Sequence, residues 1–153
     1  MGADARIAEL NLTLPPAPKP VATYLTAVRH GDLLYVSGHG PLRPDGSMIT
    51  GKVGVDLDLG GGQAAARQVG LAILATVRSH LGTLDKVVRL VKVLGLVNCT
   101  AEFADQPKVI NGFSDLMVEV FGESGKGARS AVGTNALPGN IAVEIEAIFQ
   151  VKD

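Results

Sequence analysis

An α+β fold, with two helices on one face of a mixed sheet, is what these residues predict. Two stretches of helical apolar spacing, Gln63–Leu81 and the run from Asp105 to about Phe121, supply the helices. A β-branched run, Val87–Asn98, and a period-two run, Ala142–Val151, supply strands on either side of the second helix. Along the whole chain the order is β-β-(β)-α-β-α-β-β.

The elements follow in turn. Leu14-Pro15-Pro16-Ala17-Pro18-Lys19-Pro20 is a polyproline-like stretch along the surface, so residues 1–19 read as an N-terminal extension and 20–153 as a single domain. Thr23–Arg29 and Leu33–Ser37 are short extended runs split by His30-Gly31-Asp32, a β-hairpin with a glycine turn. Ser37-Gly38-His39-Gly40-Pro41 ends the second strand. Arg43–Gly62, rich in Gly, Asp and Pro, reads as a long loop holding a short strand near Lys52–Val55. Gly60-Gly61-Gly62 lacks the lysine and spacing of a phosphate loop and reads as a flexible lead-in to the first helix. In that helix Ala65, Val69, Ala72, Ile73, Thr76 and Val77 share a stripe, and Gly82 stands where a C-terminal cap belongs. Asp105 and Pro107 open the second helix as capping residue and early-turn proline, and Val109, Phe113, Leu116, Met117 and Val120 form its apolar stripe. Gly122–Gly127 connects it to a strand beginning at Arg129, and Leu137-Pro138-Gly139-Asn140 turns the chain into the last strand.

At 153 residues the chain suits one domain that needs neither disulfides nor metal. Fourteen basic against 15 acidic residues leave a net charge of −1, which gives no general attraction to a polyanion. Aromatic residues are 4% of the chain and Trp is absent, so stacking platforms for single-stranded bases are scarce. A mean hydropathy of +0.27 with 46% hydrophobic residues leaves a surplus of apolar surface, for which other subunits covering the free sheet face are the economical answer. The single cysteine, Cys99, reads as a buried thiol at a strand end. The first residues carry two acids and no apolar signal core, and the longest apolar run, Val87–Cys99, is too short to span a bilayer. A cytoplasmic protein is the expectation.

The chemistry concentrates between Ala128 and Ala147, where one arginine and two carboxylates stand in otherwise apolar extended segments. Burying charge is costly unless it is paired or used. Period two puts Glu144 and Glu146 on one face and Val143, Ile145, Ala147 and Phe149 on the other. A hairpin of the two strands would bring Arg129 beside the glutamates. Such a group could bind a carboxylate through the arginine fork and move a proton through the acid, or it could be a structural ion pair across two strands.

Arg129-Ser130-Ala131-Val132, then Leu137-Pro138, then Glu144-Ile145-Glu146, with Ser37-Gly38 closing the second strand, resembles the RidA/YjgF family, known historically as the L-PSP endoribonuclease family. The resemblance covers roughly residues 20–151. It implies a chorismate-mutase-like α+β fold and a homotrimer whose sheets line a central barrel, with three ligand clefts between subunits. Active members hydrolyse reactive enamines and imines of small carboxylated compounds to keto acid and ammonia, without a cofactor. Carried onto matching positions, Arg129 would clamp the substrate carboxylate and Glu144 would orient water or relay its proton. Tyr24, Ser37, Gly38 and Asn111 would line or close the cleft, and the backbone at Ala131 would face the ligand. The three histidines, His30, His39 and His80, show no metal spacing, so no metal site is expected. Many active members carry Cys at the position of Ala131 and Gln at that of His39, and their tyrosine follows Pro where Tyr24 follows Thr23. With the longer loop at 40–62, these departures place the chain in a divergent subgroup in which His39 could alter ligand selection. Besides an imine deaminase, a keto-acid-binding module using the same Arg129 cleft and an RNA-cleaving protein are the readings to separate.

Overall fold

The computed structural model describes residues 1–153. Both predicted helices form. The longer, α2 (Leu59–Leu81), starts four residues early, because the Asp58 carboxylate accepts the Gly61 N–H at 2.7 Å and caps it. Gly60-Gly61-Gly62 is therefore the first helical turn and no flexible lead-in; at Gly62 the helix meets Val53 and Val109 so closely that a Cβ would stand 3.1 Å from each. Gly82 ends the helix in the left-handed conformation, φ 82°, with its N–H on the Arg78 carbonyl. The other, α3 (Gln106–Phe121), carries Pro107 in its first turn and buries Val109, Ile110, Phe113, Leu116, Met117 and Val120.

A third helix, α1 (Ala3–Glu9), was not expected, and it docks the N-terminal extension onto the domain. Ala3 and Ile7 enter the core, the Asp4 carboxylate accepts the Leu84 N–H at 3.1 Å, and Arg6 Nε donates to the Glu119 carbonyl at 2.9 Å. Seven residues are too few for a self-standing helix, so its order depends on this docking.

Five strands, β1 (Ala27–His30), β2 (Leu33–His39), β3 (Val87–Asn98), β4 (Ala128–Thr134) and β5 (Val143–Val151), form one mixed sheet in the order β1-β2-β5-β3-β4. All neighbours are antiparallel except β3 and β4. The first strand is shorter than expected, since 21–25 is an exposed, bent segment without ladder partners. No strand forms at 52–55; the loop meets the end of β3 and the turn before β5 through isolated bridges, Val53 with Cys99 and Thr50 with Ile141. The expected β4–β5 hairpin is absent as well. The turn at 137–140 is real, with Gly139 and Asn140 at φ 62° and 57°, but it carries the chain across the end of β3, which pairs with both strands. A parallel β3–β4 pair needs a crossover, and α3 supplies it.

The α2 and α3 helices cover one sheet face, meeting Leu34, Val36, Val93, Val97, Val143, Ile145 and Phe149. On the open face Val28, Tyr35 and Val132 stay 50%, 43% and 45% exposed beside Lys92 and Glu146. No helix is long and apolar enough to cross a membrane.

Close approach of α2 and α3 depends on Gly112, where a Cβ would lie 2.1 Å from the Gln63 carbonyl oxygen. Helix propensity favours Ala over Gly by about 1 kcal/mol, whereas forcing two packed helices apart costs about 1–3 kcal/mol or more. The clash is with backbone and cannot be relieved by a side-chain rotation, so Gly112→Ala is expected to lower the urea midpoint of unfolding; an unchanged or raised midpoint would show that the helices give way freely.

Candidate functional site

Arg129 leaves β4 on the helix-covered side, in register with Val93. Its guanidinium donates to Asn111 Oδ1 at 2.9 Å, to Ser114 Oγ at 3.1 Å and, at 3.4 Å, to the Pro107 carbonyl. All three acceptors belong to α3, and positions 107, 111 and 114 share one helix face. A cleft of about 200 Å³, bounded by Val93, Ser114, Val118 and Gly127 among others, opens beside the half-buried arginine. Every acceptor is neutral. The structural ion pair left open by the sequence does not exist in the protomer, since none of the six ion pairs includes Arg129, Glu144 or Glu146. Neutral acceptors orient the fork while leaving its charge for an anion.

Glu144 projects from the open face of β5 between the buried Val143 and Ile145. Its carboxylate lies on the backbone of Gly38, where a Cβ would stand 2.7 Å from Oε2. A Cβ at position 38 would oblige the carboxylate to move aside. Partial burial, followed by repulsion from Glu146, raises the Glu144 pKa above the ordinary carboxylate value. Ser37, one residue before, ties β2 to the preceding segment: its Oγ donates to the Leu25 carbonyl at 2.6 Å and its N–H to that of Thr26 at 3.0 Å. Tyr24, 41% exposed, therefore stands at the same end of the sheet as Ser37, Gly38 and Glu144.

The predicted residues thus fall into two groups. Arg129 and Asn111, with Ala131 two residues along the same face of β4, form one; Tyr24, Ser37, Gly38 and Glu144 form the other. They lie on opposite faces, two strand spacings or about 10 Å apart. The protomer alone does not join them, which corrects the expectation of a shared hairpin neighbourhood. Ser114 and the Pro107 carbonyl escaped sequence reasoning; the i, i+3 spacing of Asn111 and Ser114 is a signal that could have found the hydroxyl. His39 is no cleft residue, being 5% exposed and bonded through both ring nitrogens. Cys99 is buried at the end of β3, where Gln106 Nε2 approaches its sulfur at 3.7 Å. No three His, Cys, Asp or Glu side chains lie close enough to hold a metal ion. A broader depression of about 520 Å³ lies on the open sheet face among Tyr35, Ser37, Lys92, Leu94, Ser130 and Glu146.

Residues 15–151 match the family model described as Endoribonuclease L-PSP. Protein TCP17 of Trypanosoma cruzi is 40% identical over 97% of this chain and 94% of its own. A 2-iminobutanoate/2-iminopropanoate deaminase of Dermatophagoides farinae is 30% identical over 92% of this chain and 95% of its own. Among solved structures, a protein of unknown function from Agrobacterium tumefaciens superposes with a TM-score of 0.91 at 43% identity, covering 98% of this chain and 92% of that one. The α+β fold, the Arg-Ser-Ala-Val, Leu-Pro and Glu-Ile-Glu motifs and these matches agree: the chain belongs to the L-PSP family, the RidA/YjgF family that its motifs resemble.

Proposed function

We propose that this protein hydrolyses reactive enamines and imines of small carboxylated compounds to keto acid and ammonia, without a cofactor, in clefts between the subunits of a homotrimer. The observation that carries the reading is the pair of uncompensated groups: a guanidinium oriented by Asn111 and Ser114 with no carboxylate, and a desolvated Glu144 with raised pKa. In a trimer the β4 edge of one protomer would meet the β2–β5 end of the next, which gives the exposed Val28, Tyr35 and Val132 a partner surface and joins the two groups. The deaminase of Dermatophagoides farinae supports the same chemistry. The net charge of −1 gives little attraction to RNA.

A protonated imine is already electrophilic. Arg129 would fix the substrate carboxylate through two parallel hydrogen bonds and so place the imine carbon. Glu144 would take a proton from water as the oxygen bonds to that carbon, giving a carbinolamine. Returned to nitrogen, the proton makes ammonia the leaving group; as the C–N bond breaks, Glu144 takes the remaining hydroxyl proton and the oxygen forms the ketone. Ala131 in place of a thiol costs nothing here, because no covalent intermediate is formed.

Charged hydrogen bonds are worth about 1.5–3 kcal/mol, so Arg129→Ala is expected to lower kcat/KM by roughly one to two orders of magnitude. Arg129→Lys should recover little, lacking the fork. Glu144→Gln should keep 2-oxobutanoate binding and lose turnover. Calorimetry beside hydrolysis of freshly generated 2-aminoacrylate reads both, with light scattering to check the trimer. Binding unchanged in Arg129→Ala would defeat the assignment, and a wild-type protein that binds the keto acid without turnover would be a carrier.

The raised pKa of Glu144 sets two pH dependences. As a base it must be ionised, so turnover is expected to fall on acidification with a midpoint above the free-glutamate value of about 4.3. For stability the sign is opposite: its contribution is full below the unfolded pKa and is lost as pH rises through the higher folded one. Glu144→Gln, neutral throughout, should raise Tm at about pH 7 and leave it unchanged at about pH 4, by scanning calorimetry.

A further inference from the structure

We propose that His39 is a positioning residue, whose ring pins a bulge in β2 and thereby sets the backbone on which the Glu144 carboxylate lies. The inference rests on the reading that Glu144 handles the proton. Between Val36↔Ala147 and His39↔Ile145 the ladder advances three residues on β2 but two on β5. One residue is therefore extra, at Ser37–Gly38. Regular alternation would turn position 38 into the core and His39 outward; the bulge reverses this, and His39 becomes a core residue beside α2.

There its Nδ1–H donates to the Ser37 carbonyl at 2.6 Å, and its Nε2 accepts from the Thr76 hydroxyl at 2.8 Å. A single neutral tautomer satisfies both bonds. Burial, opposed only in part by the Ser37 carbonyl and reinforced by His80, lowers the His39 pKa and favours that neutral form. Thr76 is 1% exposed in the middle of α2, so the ring is braced against the most buried helix of the fold. At its other end it holds the carbonyl of the very residue that anchors the Tyr24 segment through Leu25 and Thr26. Gly38 follows at once, with the Glu144 carboxylate on its Cα. Thr76, His39, Ser37, Gly38 and Glu144 thus form a continuous line of contacts from core helix to acid. Arg129 lies outside it, on the other face.

Replacing the ring should therefore disturb the acid and spare carboxylate binding. His39→Leu fills the space without hydrogen bonds, His39→Asn keeps an N–H near the place of Nδ1, and Thr76→Val removes the donor to Nε2. The primary readout is the Glu144 carboxyl titration by carbon-13 NMR, assigned by its loss in Glu144→Gln. Its midpoint is expected to shift by about half a pH unit or more in His39→Leu and to return toward wild type in His39→Asn. Imine turnover should show kcat reduced about tenfold with KM unchanged. A folded His39→Leu variant with wild-type Glu144 titration and wild-type kcat would overturn the proposal; should that variant fail to fold, the same two measurements on Thr76→Val decide it. Absence of turnover in the wild-type protein would refute the hydrolase reading, while the Glu144 titration would still decide the role of His39.

Discussion

Everything in the site depends on the double pairing of β3. It is the longest strand, 12 residues, and it holds β5 antiparallel on one side and β4 parallel on the other. The parallel partner can be reached only by a crossover, so α3 must lie over the sheet between them. That places Pro107, Asn111 and Ser114 opposite the one strand that carries Arg129. The same strand keeps Arg129 and Glu144 apart. Had β4 and β5 paired with each other, the arginine and the glutamates would have neutralised one another, and the protein would have gained an ion pair of small worth in place of two chemically available groups.

A chain selected for stability alone would not leave these charges unmatched. Glu144 has Glu146 on the same strand face and no cation to offset its partial burial. Arg129 is held by an amide, a hydroxyl and a carbonyl, which fix its direction and leave its charge intact. The protein elsewhere does pair such groups: Arg67 and Glu119 meet at 2.9 Å, and Arg29 and Asp153 do the same. Under the proposed function the contrast has a reason: Arg129 and Glu144 are the residues that would meet the substrate carboxylate and the water.

Much of this was legible from residue order. Helix periods, the Pro107 start, the Gly82 stop, the buried thiol of Cys99 and the alternation of β5 are local signals, and local physics produces them, although Asp105, expected to cap α3, stands at its N-cap without a side-chain cap bond. The departures from it are non-local. Leu137-Pro138-Gly139-Asn140 has the composition of a hairpin turn, yet which strand lies next to β5 depends on a segment forty residues earlier. The α1 helix carries little amphipathic signal in seven residues, and only its docking on Thr83–Asp85 and Glu119 makes it worth forming. His39 is expected to bear on ligand selection, but a bulge, invisible to period-two counting, turns it into the core.

The long loop at 40–62 acts on the same end of the sheet. Lys52 Nζ donates to Asn98 Oδ1 at 2.8 Å and to the Asn135 carbonyl, while Asn98 Nδ2 donates to Asn140 Oδ1 and to the Ile141 carbonyl, each at 3.1 Å. Gly51 N–H closes the group on the Asn140 carbonyl at 2.9 Å. Asn98 is wholly buried, so leaving any of its partners unmade would cost about 1–3 kcal/mol. The loop is thereby fastened to the turn that launches β5, two residues short of Val143 and three short of Glu144. Two braces therefore converge on one acid: His39 holds the backbone beneath it, and the Lys52–Asn98–Asn140 group holds the strand that carries it. Raising the pKa of a carboxylate by burial and like charge works only if the side chain cannot swing away to solvent, and rigid support on both sides is what such an acid requires.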